Sequence, residues 1–83
     1  MEIIKQEKVI LSSLKSEWKY IARDENGDLF LFKKKPIKDG LMWKALGKDD
    51  IYYCDFSCYN HLFQFIKWTD DNPHSINILI NYY

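Results

Sequence analysis

The sequence predicts an α+β fold, a small antiparallel β-meander packed against an N-terminal helix. Three observations predict it. A β-hairpin signal spans Trp18 to Lys34. A stretch before it carries apolar residues at helical spacing, and short β-prone runs separated by turn residues follow it. The 83 residues make one small domain, 1–83, with no linker long enough to separate two.

In chain order, Ile4 to Ser16 reads as a short helix. Val9, Ile10, Leu11 and Leu14 give an apolar stripe near 3.6 spacing, with charges elsewhere. Trp18–Arg23 and Leu29–Lys34 read as two strands rich in aromatic and β-prone residues. Pro36 to Gly40 reads as a connection, Leu41–Leu46 as a third strand and Ile51–Phe56 as a fourth. Gly47-Lys48-Asp49-Asp50 is the turn between them. Tyr59–Trp68 fits one turn of helix running into a strand, and Thr69–Pro73 a loop. Ile76, Ile78, Ile80 and Tyr82 alternate, which predicts a last strand; a short helix after Pro73 is the alternative.

The hairpin allows two turns. A two-residue type I′ turn centred on Asn26-Gly27 sets Glu25 against Asp28, a like-charge pair, and mixes both faces. A three-residue loop with Gly27 left-handed in a G1 bulge pairs Arg23 with Leu29, Ala22 with Phe30, Ile21 with Leu31 and Tyr20 with Phe32. It gathers Trp18, Tyr20, Ala22, Phe30 and Phe32 on one nearly uncharged face. Lys19, Ile21, Arg23, Leu29, Leu31 and Lys33 take the other. Register follows the hydrophobic pattern, so the three-residue loop is expected, with the aromatic face inward.

Composition narrows the function classes. Twelve basic residues balance twelve acidic ones, so no bulk field favours a strongly basic nucleic-acid binder or an acidic mimic of DNA. No apolar run approaches the ~20 residues that cross a bilayer. Glu2, Lys5, Glu7 and Lys8 break up the N-terminus, so a signal peptide is not expected and the reading is a soluble, cytoplasmic protein without a membrane partner.

Four potential zinc ligands, Cys54, Cys58, His61 and His74, occur as C-x3-C-x2-H-x12-H. Zinc takes four nitrogen or sulfur ligands in a tetrahedron, but this spacing fits no familiar finger. The reading is that both thiols are small buried hydrophobes and both imidazoles lie at the surface, with no metal and no cofactor. Cys58 with His61 or His74 could form a nucleophilic pair, but no third, orienting group is identifiable, and the expectation is a protein that is not an enzyme. Lys33-Lys34-Lys35, with Lys38 nearby, could meet phosphates. Alternation along a strand splits the run between two faces, so protection of a sheet edge is the preferred reading. The 17% aromatic content is high. Trp43, Tyr52, Tyr53, Tyr59, Trp68, Tyr82 and Tyr83 cannot all be central in so small a domain, so some must be exposed, as at protein interfaces; ordinary partial burial around a small core is the alternative.

Two segments, WKYIARDENGDLFLFKKKP (18–36) and HLFQFIKWTDDNP (61–73), with EKVILSSLKSEW (7–18), resemble a family of small uncharacterised proteins encoded by phages and prophages of Gram-positive bacteria. The matching residues are Tyr20, Ala22, Arg23, Asp24, Gly27, Leu29, Phe63, Phe65, Trp68 and Pro73, all assigned to the fold; 37–60 shows no match and is where a protein-specific function is expected. The resemblance implies a phage-like context, in which small non-enzymatic proteins bind a host protein and block it. The expected function is a binding module in the host cytoplasm that inhibits or redirects a host protein, such as a defence nuclease of CRISPR type. Its candidate contacts are Lys33, Lys34, Lys35, Trp43, Tyr52 and Tyr53. The alternative is a nucleic-acid-binding accessory protein using the Lys33–Lys35 edge. A homo-oligomer through Ile76–Tyr83 as an open strand is a further expectation.

Overall fold

The computed structural model describes residues 3–46 and 53–82. Its elements are α1 (Lys5–Ser12), β1 (Tyr20–Arg23), β2 (Leu29–Phe32), β3 (Ile37–Asp39), β4 (Met42–Lys44), β5 (Tyr53–Asp55), β6 (His74–Ser75) and α2 (Ile76–Tyr82). β5, β2, β1 and β6 form a four-stranded antiparallel sheet in that order, while β3 and β4 form a separate two-stranded ribbon. The fold is α+β, with the N-terminal helix packed on the sheet.

The central hairpin has the register of the three-residue loop: Tyr20 with Phe32, Ile21 with Leu31, Ala22 with Phe30 and Arg23 with Leu29. The Gly27 N–H donates to the Asp24 carbonyl at 3.0 Å, the Asp24 N–H to the Asp28 carbonyl at 2.9 Å, and Gly27 has φ +96°. Only glycine adopts that conformation without strain.

The expected inward face is corrected. The main core lies on the opposite side of the hairpin, where Ile21 and Leu29 are fully buried with Leu31. They pack with Leu11 of α1, Ile76 and Leu79 of α2, and Phe56, Phe63 and Ile66. Trp18 joins this side as well, because β1 begins only at Tyr20. Three charges, Lys19, Arg23 and Lys33, argue for a wet face, yet they sit at its ends. Lys19 is exposed, Lys33 meets Glu17, and Arg23 is satisfied by backbone carbonyls. The aromatic face is also covered, by the β3–β4 ribbon. Ala22, Phe32 and Trp43 are buried there, flanked by Tyr20, Phe30 and Trp68.

Four further expectations change. Residues 76–82 form a helix instead of a strand. Ile76 and Leu79, three apart, are buried, whereas Ile78 and Tyr82 of the alternating set are exposed. The Ile78 N–H reaches the Ser75 hydroxyl at 3.4 Å, so Ser75 stands at the N-cap, where serine is favoured. The segment therefore presents no open strand edge for self-association. Part of the Pro36–Gly40 connection is strand β3. Tyr59–Trp68 is neither helix nor strand beyond a 3-10 turn at Ser57–Tyr59. The helix expected to Ser16 ends at Ser12, where the Ser13 hydroxyl donates to the Ile10 carbonyl at 2.7 Å. The expected Gly47–Asp50 turn lies outside the described residues.

Candidate functional site

Arg23 holds the irregular stretch 57–68. Its guanidinium donates to the carbonyls of Ile66 (2.8 Å), Gly27 (2.6 Å), Leu62 (2.9 Å), Asn60 (3.2 Å) and Phe63 (3.2 Å). A planar fork with five N–H groups suits this task. Burial lowers the Arg23 pKa, an effect that Asp28 opposes. Glu7 supplies the matching acceptor. Its carboxylate receives the Ile4 N–H at the start of α1 and the Phe63 N–H from across the core. Phe63 has φ +57°, unusual for a bulky residue. Asn60 completes the set, accepting from the Leu29 N–H (2.9 Å) and donating to Asp28 (2.8 Å).

Asp24 performs the same service for the ribbon. Its buried carboxylate accepts the Trp43 N–H at 2.8 Å, and the Glu25 N–H donates to the Leu41 carbonyl at 3.2 Å. Burial raises the Asp24 pKa; the Trp43 N–H pulls it down, and Asp28 pushes it up. These roles of Arg23, Glu7, Asp24 and Asn60 are structural. For Arg23 the sequence signal was a charge on an otherwise apolar face, which was turned outward because a single sequence does not show which carbonyls need donors.

The candidate contacts divide. Trp43, expected among exposed aromatics, is buried: it sits edge-on to Trp68 (centroids 6.3 Å apart, planes at 80°) and anchors the ribbon. The Lys38 Nζ lies 4.4 Å from the Trp68 ring centroid and 5.3 Å from that of Trp43, and donates to the Trp68 carbonyl at 2.6 Å. Lys33 pairs with Glu17 (3.2 Å) and covers the Trp18 ring (5.4 Å). Lys34 and Lys35 are exposed beyond the end of β2. Because β2 lies between β1 and β5, these lysines do not guard a sheet edge. Tyr52 lies outside the described residues. Tyr53 is half exposed on β5, one of the two outer strands of the four-stranded sheet, edge-on to Phe30 at 6.1 Å. It stands opposite Phe32, so the structure brings Tyr53 and the lysine run to one end of the sheet.

The thiols and imidazoles do not converge. Cys54 is half-buried on β5, whereas Cys58 and His61 are exposed, which corrects the reading of both thiols as buried. His74 is part-buried: its ring lies 2.8 Å from Asp70 and edge-on to Phe65 at 5.6 Å. Among the described residues no three His, Cys, Asp or Glu side chains are placed to hold a metal ion, and no helix there is long and apolar enough to cross a membrane. Comparison with family models, with curated proteins and with solved structures finds no match for the chain.

Proposed function

We propose that the protein is a small non-enzymatic, phage-like binding module that inhibits or redirects a host protein, with a defence nuclease of CRISPR type as the class of target and the host cytoplasm as its place of action. One observation carries the reading. Tyr53, half exposed, stands on an outer strand beside the Lys33–Lys35 end of β2. A strand with one free edge can take an added strand from a partner, its backbone giving affinity and its side chains specificity. A half-exposed tyrosine supplies the amphipathic anchor common at interface centres. The partner that suits this end is an extended protein segment carrying acidic side chains. Lys33 shares its charge with Glu17, and Lys38 is seated on two indole rings, so a continuous phosphate-binding stripe is not what these lysines offer.

The test is a photo-reactive side chain placed at position 53, with position 9 on exposed Val9 as control, in lysate of a Gram-positive host. A protein cross-linked at 53 and not at 9, and lost when Lys34 and Lys35 are both changed to Glu, supports the reading. Equal labelling at both positions contradicts it. Salt-sensitive recovery of DNA or RNA instead would favour a nucleic-acid accessory role.

A further inference from the structure

Among the described residues the β3–β4 ribbon has one partnered face and one bare one. Its ladder pairs, Ile37 with Lys44, Lys38 with Trp43 and Asp39 with Met42, alternate in the side they present. Lys38 and Trp43 turn toward Trp68. Ile37, Asp39, Met42 and Lys44 stand on the other side, and all four are exposed, Ile37 at 49% and Met42 at 52%. The two outward rungs lie roughly 7 Å apart along the strands, and the members of each rung about 5 Å apart. The four side chains therefore form a near-square. One diagonal, Ile37 to Met42, is apolar. The other joins opposite charges, Asp39 and Lys44.

Such a square complements itself. A two-fold axis along its apolar diagonal sets Ile37 on Ile37 of a second copy and Met42 on Met42. It also sets each Asp39 against Lys44 of the other copy, twice over. An axis along the strands would place Ile37 on Lys44 and Asp39 on Met42, with no ion pair formed. The diagonal axis makes the two ribbons cross at a wide angle, as in orthogonal sheet packing, and an isologous two-fold contact is the commonest homo-oligomer symmetry. The chain's formal net charge of zero adds no long-range repulsion between copies.

The geometry points to this face as the contact of a homodimer, its occupant a second copy of this chain. Four side chains, with Leu41 at the hairpin tip, fall well short of the ~800 Å² per partner of a standard interface, so the dimer is weak, with Kd on the order of 0.1 mM or above. The contact uses a surface apart from Tyr53 and stands independently of the host-protein reading.

Sedimentation equilibrium and amide NMR shifts from about 50 µM to 2 mM bracket that affinity. The mass should rise toward the dimer, with shifts concentrated at residues 37, 39, 42 and 44. Asp39→Lys and Lys44→Asp each place like charges at both contacts and should weaken association about tenfold or more. An equimolar mixture of the two variants restores opposite charges at both contacts and should associate at least as tightly as the wild type. Both sites are exposed, and circular dichroism checks that each variant folds. A wild type monomeric at 2 mM, single variants that associate like wild type, or a mixture no tighter than its components would overturn the proposal.

Discussion

The two sides of the central hairpin are covered in different ways. On the helical side, nine side chains buried among the described residues pack together, drawn from α1, α2, the hairpin and the 56–66 stretch. On the ribbon side the buried hydrophobic cluster among the described residues is smaller: Ala22, Phe32 and Trp43. The helical side is fastened by Arg23, which reaches five carbonyls, and by Glu7, which reaches two N–H groups. The ribbon side hangs on one indole, the Asp24–Trp43 and Glu25–Leu41 hydrogen bonds, and Lys38 over the indoles. Among the described residues no group accepts the buried Trp43 Nε1–H. The difference predicts that the ribbon side is a shallower attachment that opens ahead of the helical side. Both proposed contact surfaces, Tyr53 and the outer ribbon face, lie within 37–60.

The largest way to break this picture is Arg23→Ala. It strips donors from five carbonyls in part-buried surroundings and should lower stability by about 3 kcal/mol or more, read from the urea midpoint. A loss under ~1 kcal/mol would mean that water replaces the guanidinium. Leu31→Ala and Trp43→Ala sharpen the comparison. Leu31→Ala should cost about 2–5 kcal/mol. Trp43→Ala removes the larger side chain, for which full burial would predict a similar or greater loss, yet it should cost less, because the ribbon detaches and the sheet stays folded. Equal or reversed losses would erase the distinction. Gly27→Ala tests the turn both sides share: no atom crowds the added methyl, so strain at φ +96° alone should cost about 1 kcal/mol.

The smallest effect is set by pH. Burial raises the Asp70 pKa, but the Lys67 N–H, the hydrogen bond to His74 and the charges of His74 and Lys67 together outweigh it and hold the carboxyl below its usual range. A carboxylate with a lowered folded pKa adds stability above its unfolded pKa, and that gain vanishes as pH falls through the folded value. Asp70→Asn should therefore lower stability slightly at neutral pH and flatten the acid limb of the stability curve, as thermal melts from about pH 6 down to pH 3 would show. A variant whose acid limb matches the wild type would remove the Asp70 contacts from the account.

How much of this was legible follows from what each feature needs. The hairpin register was readable because turn chemistry and side-chain segregation are both local, and they agree at Asp24–Gly27. That both faces would be covered, with the larger core on the Ile21–Leu31 side, was not, because it depends on partners far along the chain: Arg23 meets carbonyls at 60, 62, 63 and 66. Helix α2 was misread because Ile76, Ile78, Ile80 and Tyr82 satisfy a period of two, while Ile76 and Leu79 satisfy the helical one. Ser75 just before the run was the local cue to the helix. The 57–68 stretch follows no period because its backbone groups are paired with side chains and short turns instead of a ladder. Of the candidate site, Tyr53 and the lysine end were legible as residue types. Trp43 was not, since nothing local shows that an aromatic in a short ribbon will be its anchor.

The account is tested most directly by native-state hydrogen exchange of the wild-type chain, followed residue by residue across a urea series. The β1–β2 ladder amides should exchange only through global unfolding. The amides of Trp43 and Glu25, which hold the ribbon, should exchange through a smaller opening at lower free energy and with weaker urea dependence. If the Trp43 and Glu25 amides share the free energy and urea slope of the ladder, the ribbon and the sheet unfold as one unit, and the division between a fastened side and a detachable one is wrong.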